Sequence, residues 1–193
     1  MSTIEQPAVD AGEKLDFKKI LPLFVIILVD LLGLTIIIPL LPLYSVAMGA
    51  SPFVIGLLAA TYPLMQLVGG PVLGGLSDRF GRKPILMVSQ IGTFIGFVIL
   101  GFATTLPWLF ISRFIDGISG ANIVVAQAAI TDSTTEKTRT QGLGLLGAAF
   151  GLGFVIGPAI AGIALAVTDN NYRVPAFIAA GFSLLSIILT RFW

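Results

Sequence analysis

The 193-residue chain has a net charge of +1, with 56% hydrophobic and 11% charged residues and a mean hydropathy of +1.00. This composition is typical of integral membrane proteins and excludes an ordinary soluble domain. Since the sequence has no Cys and no His, disulfides, thiol nucleophiles and imidazole metal sites are excluded. The small net charge argues against nucleic-acid binding. No phosphate loop or nucleophile–base pair is present, so we predict no enzyme, no cofactor and no metal.

The chain begins with a polar segment, residues 1–19, which we expect to be a cytoplasmic tail. It lacks the short apolar core and cleavage site of a signal peptide. Six apolar segments follow, and a membrane-crossing helix needs about 20 such residues. None alternates apolar and polar residues as spanning strands do. The sequence therefore predicts an all-α membrane protein with six spans, at 20–44, 52–75, 84–104, 107–131, 141–167 and 174–193.

The Lys and Arg residues lie almost entirely on one side of this six-span topology. The other side has Arg173 alone, and Arg113 falls within the fourth span. Because positively charged loops remain in the cytoplasm, we predict a multi-pass protein of the cell (plasma or inner) membrane with both termini cytoplasmic. The residues on the cytoplasmic side are Lys14, Lys18, Lys19, Arg79, Arg82, Lys83, Lys137, Arg139 and Arg191.

Three ionisable residues lie inside the predicted spans: Asp30 in the first, and Arg113 and Asp116 in the fourth. Asp30 lies about 15 Å along its helix at 1.5 Å per residue, near the membrane midplane. Each such residue costs about 2.5–3.5 kcal/mol on insertion and marks a functional site by default. Two interpretations of Asp30 remain open, a proton site lining a cavity or a structural partner of Arg113. Arg113 and Asp116, at i and i+3, are also placed to neutralise each other.

Polar residues on the second and fourth spans follow single helix faces. Stripes of this kind on several helices imply a shared cavity that water can enter. We therefore predict that Tyr62, Gln66 and Gln127 line a substrate cavity. The stripes are Tyr62, Gln66 and Gly69 in the second span, and Arg113, Asp116, Gly120 and Gln127 in the fourth.

The segment between the second and third spans, "GGLSDRFGRKP" (residues 74–84, the charged turn), concentrates charge in an apolar chain. Its bases serve the orientation rule, but Asp78 and the glycines Gly74, Gly75 and Gly81 contribute nothing to orientation. Glycines permit positive φ or close backbone approach. This order of residues predicts a shaped turn with an internal ion pair.

The fifth span is rich in glycine. Gly147/Gly151 and Gly153/Gly157 have the small-xxx-small spacing that lets helices pack closely, and packing alone would account for them. Pro158 removes a backbone donor and favours a bend.

Four segments together resemble the major facilitator superfamily, in particular its drug:proton antiporters and bacterial tetracycline-efflux proteins. The charged turn is similar to the motif between helices 2 and 3, "LVDLLGLTIIIPLLP" to the helix 1 pattern, and "RFIDGISGA" to the helix 4 pattern. "GLGFVIGPAIAG" resembles the antiporter motif of helix 5 through Gly153, Gly157, Pro158 and Gly162. Ala161 stands where glycine is usual, and the third span lacks the acid expected of tetracycline-efflux proteins.

The resemblance implies a six-helix bundle built as a 3+3 inverted repeat, equivalent to the N-terminal half of a twelve-helix transporter. It implies that Asp30 exchanges a proton, with Arg113 and Asp116 in the coupling path. It also implies a cytoplasmic gate in which the acid of the charged turn caps a helix of the opposite half and Asp132 pairs with Arg82. The gate residues are Gly74, Asp78, Arg79, Gly81, Arg82, Lys83 and Asp132.

The predicted function is proton-coupled efflux of small amphipathic compounds or drugs. The expected partners are the substrate, protons, the lipid bilayer, and a C-terminal-type half or a second copy, arranged parallel rather than inverted. Six helices alone are not expected to complete a transport cycle. Two alternatives remain open: a facilitator for sugars or other metabolites, and a membrane subunit or fragment that transports nothing.

Overall fold

A computed structural model describes residues 15–193 of the chain. Most of the predicted tail, residues 1–14 with Lys14, lies outside the described residues. Connections between helices in the described part are short. The helices are α1 (Phe17–Ala47), α2 (Pro52–Phe80), α3 (Arg82–Phe102), α4 (Leu106–Ser119), α5 (Asn122–Asp132), α6 (Arg139–Val167) and α7 (Arg173–Phe192).

Within residues 15–193, six helical segments are long and apolar enough to cross a membrane, with α4 and α5 together forming the fourth, Leu106–Asp132. The residues at the start of α2 account for where that helix begins. Ser51 caps α2 by accepting a hydrogen bond from the Val54 N–H at 3.4 Å, and Pro52 occupies the first turn. The predicted all-α membrane fold with six spanning helices is confirmed.

The core lies between α1, α3, α4 and α7. α1 packs mainly against α6 and α7, while α3 packs mainly against α4 and α7. Leu40, Phe97, Leu100 and Leu109 are fully buried between these helices. The Tyr44 hydroxyl closes one end of this core by donating to the Ala103 carbonyl oxygen at 2.6 Å. Van der Waals packing of this kind holds helices together where lipid supplies no hydrophobic driving force.

The helices α2 and α6 are the least enclosed. Within the most apolar stretch of each, 17% of α2 and 28% of α6 are buried, against 50% for α1 and α3. Their outer faces carry large apolar side chains such as Leu67 and Val155, which are more than two-thirds exposed. These faces are free to contact lipid or another bundle.

The fourth span is interrupted, whereas the sequence predicted one continuous helix over 107–131. At the break the Gly120 N–H donates to the Gly117 carbonyl at 3.1 Å and the Ala121 N–H to the Ser119 carbonyl at 2.8 Å, in place of full α-helical bonds. The Gly120 carbonyl that this frees accepts from Gln66 Nε2 at 2.6 Å. The Gln66 side chain of α2 thus supplies a hydrogen bond to a carbonyl that the end of α4 leaves unpaired, and this contact stabilises the break.

The charged turn is almost entirely helical. α2 runs to Phe80, five residues past the predicted end of the second span, and α3 begins at Arg82. Only Gly81 is non-helical, with φ +95° and ψ 154°, a conformation essentially restricted to glycine. Gly74 and Gly75 lie within α2 and do not shape the turn, so one residue makes the whole reversal.

Candidate functional site

A buried ion pair lies at the centre of the bundle. Arg113 Nη1 and Asp116 Oδ2, one helical turn apart on α4, are 2.9 Å apart, and the two residues are 2% and 1% exposed. The guanidinium lies over the Phe97 ring at 5.6 Å and contacts the Ser112 hydroxyl at 3.3 Å. The interpretation in which Arg113 and Asp116 neutralise each other is therefore the one that the structure shows.

Asp30 makes a different contact. Its Oδ2 accepts a hydrogen bond from Asn122 Nδ2 at 2.6 Å. Its Oδ1 is buried and has no hydrogen-bond partner within residues 15–193, and no Lys or Arg of that range forms an ion pair with it. The alternative of Asp30 as the structural partner of Arg113 is wrong, because Asp116 takes that place.

Two neighbours of Asp30 were missed by the sequence analysis, Asn122 and Thr93. Asn122 Nδ2 also lies 3.4 Å from Thr93 Oγ1. These two neutral residues line one small cavity together with the two acids, so that α1, α3, α4 and α5 each contribute a polar side chain to it. A signal was available: Asn122 is a polar residue inside an apolar span, directly after the small residues of the helix break.

Of the predicted cavity residues, Gln66 and Gln127 line one open groove, whereas Tyr62 lines two smaller cavities, one of them together with Asp116. Gln66 Nε2 lies 3.3 Å from the Tyr62 hydroxyl, so these two side chains of α2 meet as expected from their spacing. Gln127 is exposed, whereas Arg113 and Asp116 are buried. The break at Gly120 lies between Asp116 and Gln127, so the stripe predicted for one continuous helix is divided between α4 and α5.

Two larger cavities lie beside the central residues. An open groove of about 940 Å³ runs between α2 and α5 and is lined by Gln66, Gln127, and apolar and glycine residues. A separate cavity of about 160 Å³ reaches Tyr62 and Arg113 from the α1 side. The groove is large enough for a drug-sized molecule, and its mostly apolar wall with a few amides suits amphipathic compounds.

The charged turn holds a second polar cluster. Arg82 pairs with Asp78 one turn earlier in sequence, and its Nε lies 2.7 Å from Asp132 Oδ2 at the end of α5. Arg82 Nη1 also donates to the Ser77 hydroxyl at 2.7 Å, a contact that the sequence did not indicate. Arg79 points elsewhere, over the Phe80 ring at 5.3 Å. The cluster ties the ends of α2, α3 and α5 together.

The helix 5 motif lies on α6 and has two faces. Gly157 and Gly153 pack against α1, and a Cβ on Gly157 would come within 2.7 Å of the Thr35 Cβ. Gly162 has open space around it, and Pro158 sits within the helix. The motif therefore serves close α1–α6 packing on one face and leaves the other face free.

Within the part of the chain that the structure describes, no group of three acidic, His or Cys residues could hold a metal ion. The site consists of one acid without a cation, one neutralised ion pair, and an adjacent groove.

Comparison with known proteins identifies related sequences along most of the chain. A family model described as the Major Facilitator Superfamily matches residues 23–193. The chain is 39% identical over 172 residues to the class B tetracycline resistance protein of Escherichia coli, covering 88% of this chain and 42% of that protein. It is 37% identical over 160 residues to multidrug resistance protein 1 of Bacillus subtilis, covering 82% of this chain and 40% of that protein.

The class H tetracycline resistance protein of Pasteurella multocida is 37% identical over 180 residues, with 91% of this chain and 44% of that protein covered. The chain thus spans less than half the length of the curated relatives it matches. Among solved structures, a human organic anion transporter matches with a TM-score of 0.76 over 90% of this chain and 46% of that chain. At 23% identity this likeness shows the fold alone, half of a larger transporter fold.

Proposed function

Because this chain belongs to the Major Facilitator Superfamily, as its sequence motifs indicated, we propose that it forms the N-terminal half of a proton-coupled efflux transporter for small amphipathic compounds. The chain is a multi-pass membrane protein, and the members of its family are transporters rather than enzymes. The names of its relatives, resistance to tetracycline and to multiple drugs, support efflux of such compounds.

The observation that carries the proposal is Asp30. It lies in the middle of α1, accepts one hydrogen bond from a neutral amide, and has no cation partner among the described residues. An acid placed in a membrane span without a counter-ion is expensive unless it has a function, and reversible protonation removes its charge. Asp30 is therefore the proton-exchanging group of the proposal, and the neighbouring pair Arg113–Asp116 lies in the coupling path.

The substrate path of the proposal follows the groove between α2 and α5. Gln66 and Gln127 supply polar contacts there, and the wall is otherwise apolar. Tyr62 and Gln66, joined by a hydrogen bond, connect this groove to the α4 end at Gly120. Tyr62 also lines a small cavity together with Asp116.

The charged turn is the cytoplasmic gate of the proposal. Its contacts join the ends of three helices of this bundle, and all of them depend on Arg82. In the assembled transporter, Asp78 would cap a helix of the other half, a contact favoured by about 0.3–1 kcal/mol. Both termini are proposed to be cytoplasmic because Lys and Arg concentrate on that side.

The proposed partner is a C-terminal-type half, or a second copy in parallel orientation. The weakly enclosed faces of α2 and α6, with the open groove beside α2, support an opposing bundle on this side. Alternating access requires one bundle to rock against another around a midplane site.

The test is proton-driven uptake of ethidium and of tetracycline into vesicles that contain the chain with a C-terminal-type half. Asp30→Asn is expected to insert normally and to abolish the uptake driven by a pH gradient. Asn171→Ala, in the α6–α7 loop, serves as the control and should transport normally. Uptake by Asp30→Asn at the normal rate would show that the proton binds elsewhere.

The gate is tested in the same vesicles with Asp78→Ala. We expect normal expression, slower transport, and altered reactivity of single cysteines introduced on either side of the membrane. The chain suits this labelling because its sequence has no Cys. Unchanged reactivity and unchanged transport together would reduce the charged turn to a topology signal.

A further inference from the structure

Asn122 occupies a position that the proposed proton exchange does not yet explain. It is the first residue of α5, is 8% exposed, and donates from Nδ2 to Asp30 Oδ2 at 2.6 Å. Its own Oδ1 is buried and accepts no hydrogen bond from any residue in the 15–193 range. A buried amide oxygen that accepts no hydrogen bond costs free energy. A second state in which Asn122 Oδ1 accepts a hydrogen bond would offset that cost.

The fold holds Asn122 firmly in this place. The break at Gly120 and Ala121 starts α5 at the level of Asp30, and Val125 and Ala126 on the next turn are fully buried against neighbouring helices. The backbone of Asn122 is therefore fixed, while its side chain borders two small cavities of about 10 Å³ each. Both cavities also touch Asp30, and each is near the lower limit for one water molecule. The amide has local room to turn about its Cβ–Cγ bond.

A primary amide can serve both forms of a carboxyl group. An ionised carboxylate only accepts hydrogen bonds, whereas a carboxylic acid also donates one. The Asn122 amide has N–H donors on one side and a carbonyl acceptor on the other. One half-turn of the amide would replace the donor at Asp30 with the acceptor that is now without a partner.

We propose that Asn122 is the positioning residue of Asp30 and that its amide orientation follows the charge on that acid. With Asp30 ionised, Nδ2 donates to Oδ2, as in the structure. When a hydronium ion transfers its proton to Asp30 and leaves as water, the new O–H donates to Asn122 Oδ1, and Nδ2 turns away. No other covalent bond changes. This inference rests on the proposed role of Asp30 in proton exchange.

The charged and titratable groups facing Asp30 are few. α4 contributes Asp116 and Arg113, which neutralise each other, and α2 contributes Tyr62. The charged residues of α3, α5, α6 and α7 lie at or next to helix ends. Asn122 Nδ2 lies 3.4 Å from Thr93 Oγ1, and Thr93 lines a small cavity with Asp116, so a turn of the amide would also change a polar contact beside the second acid.

Infrared difference spectroscopy of the full chain in lipid nanodiscs, recorded as the pH is stepped, tests this inference. The carboxylic C=O band of protonated Asp30 is identified by its loss in Asp30→Asn. In Asn122→Leu, which has a similar shape but neither donor nor acceptor, this band is expected to move to higher wavenumber because the acid loses a hydrogen bond. The parent spectrum should also contain a side-chain amide band that disappears in both Asn122→Leu and Asp30→Asn.

Ser45→Ala is the matched control. Ser45 is a buried polar residue of the same helix as Asp30, and its hydroxyl bonds its own helix at the Leu41 carbonyl. This variant should leave both bands unchanged. If Asn122→Leu is not recovered folded, Asn122→Ala provides the same comparison.

Two results would overturn the inference, and they are distinguishable. An Asp30 band that is present but unmoved in the Asn122 variants would exclude the positioning role while leaving Asp30 as the proton site. A parent chain with no pH-dependent band that Asp30→Asn removes would exclude the proton site itself, and the role of Asn122 with it.

Discussion

The two charged clusters of this molecule use the same kinds of side chain in opposite surroundings. At the centre, the Arg113 and Asp116 side chains are 3% and 1% exposed and form one pair. At the charged turn, Arg82 is 23% exposed and shares its guanidinium between Asp78 and Asp132, which are 67% and 56% exposed. The central pair is isolated from water, whereas the pairs at the turn are open to it.

This difference determines what each cluster can do. Breaking a buried ion pair by removing one partner leaves an unpaired charge and costs about 3–5 kcal/mol, so the central pair must persist. An exposed pair contributes about 0–1 kcal/mol and is screened by salt, so it can open and close at small cost. The buried central pair is therefore suited to remain formed, and the exposed pairs at the charged turn are suited to break and form again.

The largest effect is expected from breaking the central pair. Arg113→Leu should lower the free energy of unfolding by about 3–5 kcal/mol, since Asp116 would remain buried without its cation. The double variant Arg113→Leu/Asp116→Leu should recover much of this loss. Unfolding in detergent micelles, followed by circular dichroism, provides the measurement. Equal losses in the single and double variants would contradict the view that an unpaired charge is the cause.

The next largest effect is expected from a change in helix packing rather than in charge. Gly157→Ala would bring a Cβ within 3.0 Å of the Thr35 Cβ and backbone carbon, and such overpacking costs about 1–3 kcal/mol. Gly162→Ala on the same helix meets nothing within 4 Å and is the matched control. The same unfolding assay compares the two. Equal stability of both variants would show that α1 and α6 separate easily.

At the charged turn, the backbone is expected to matter more than any one ion pair. Gly81→Ala should cost about 1–3 kcal/mol, because φ +95° with ψ 154° is strained for residues with a Cβ. Gly75→Ala, six residues earlier in open space within α2, should leave stability unchanged or slightly raised. A Gly81→Ala protein as stable as the parent would mean that the turn adopts another backbone conformation.

The smallest effect is expected from Arg82→Gln. Each lost exposed pair should lower the free energy of unfolding by less than about 1 kcal/mol, and the difference from the parent should shrink as salt increases. Unfolding measured at low and at high ionic strength checks both points. A loss as large as that of Arg113→Leu, unchanged by salt, would place Arg82 among the central residues and break the comparison.

The sequence by itself determined the class of this protein, its six spans and the ionisable residues within them. Hydropathy over about 20 residues is a local property of the chain, so it can be read without knowing any contact. The pairing of Arg113 with Asp116 was also available, because i and i+3 on a helix are neighbours in any fold. The motifs that indicated the family are likewise short and local.

Only the tertiary structure decided which polar groups meet. The choice of Asn122 as the partner of Asp30 depends on a contact between residues 92 positions apart, made where the fourth span breaks. That break is stabilised by Gln66 of α2 at the Gly120 carbonyl, 54 positions away, and it divides the predicted stripe between α4 and α5. Helical periodicity cannot anticipate these outcomes, because a side chain from another helix replaces a backbone hydrogen bond and so resets the phase.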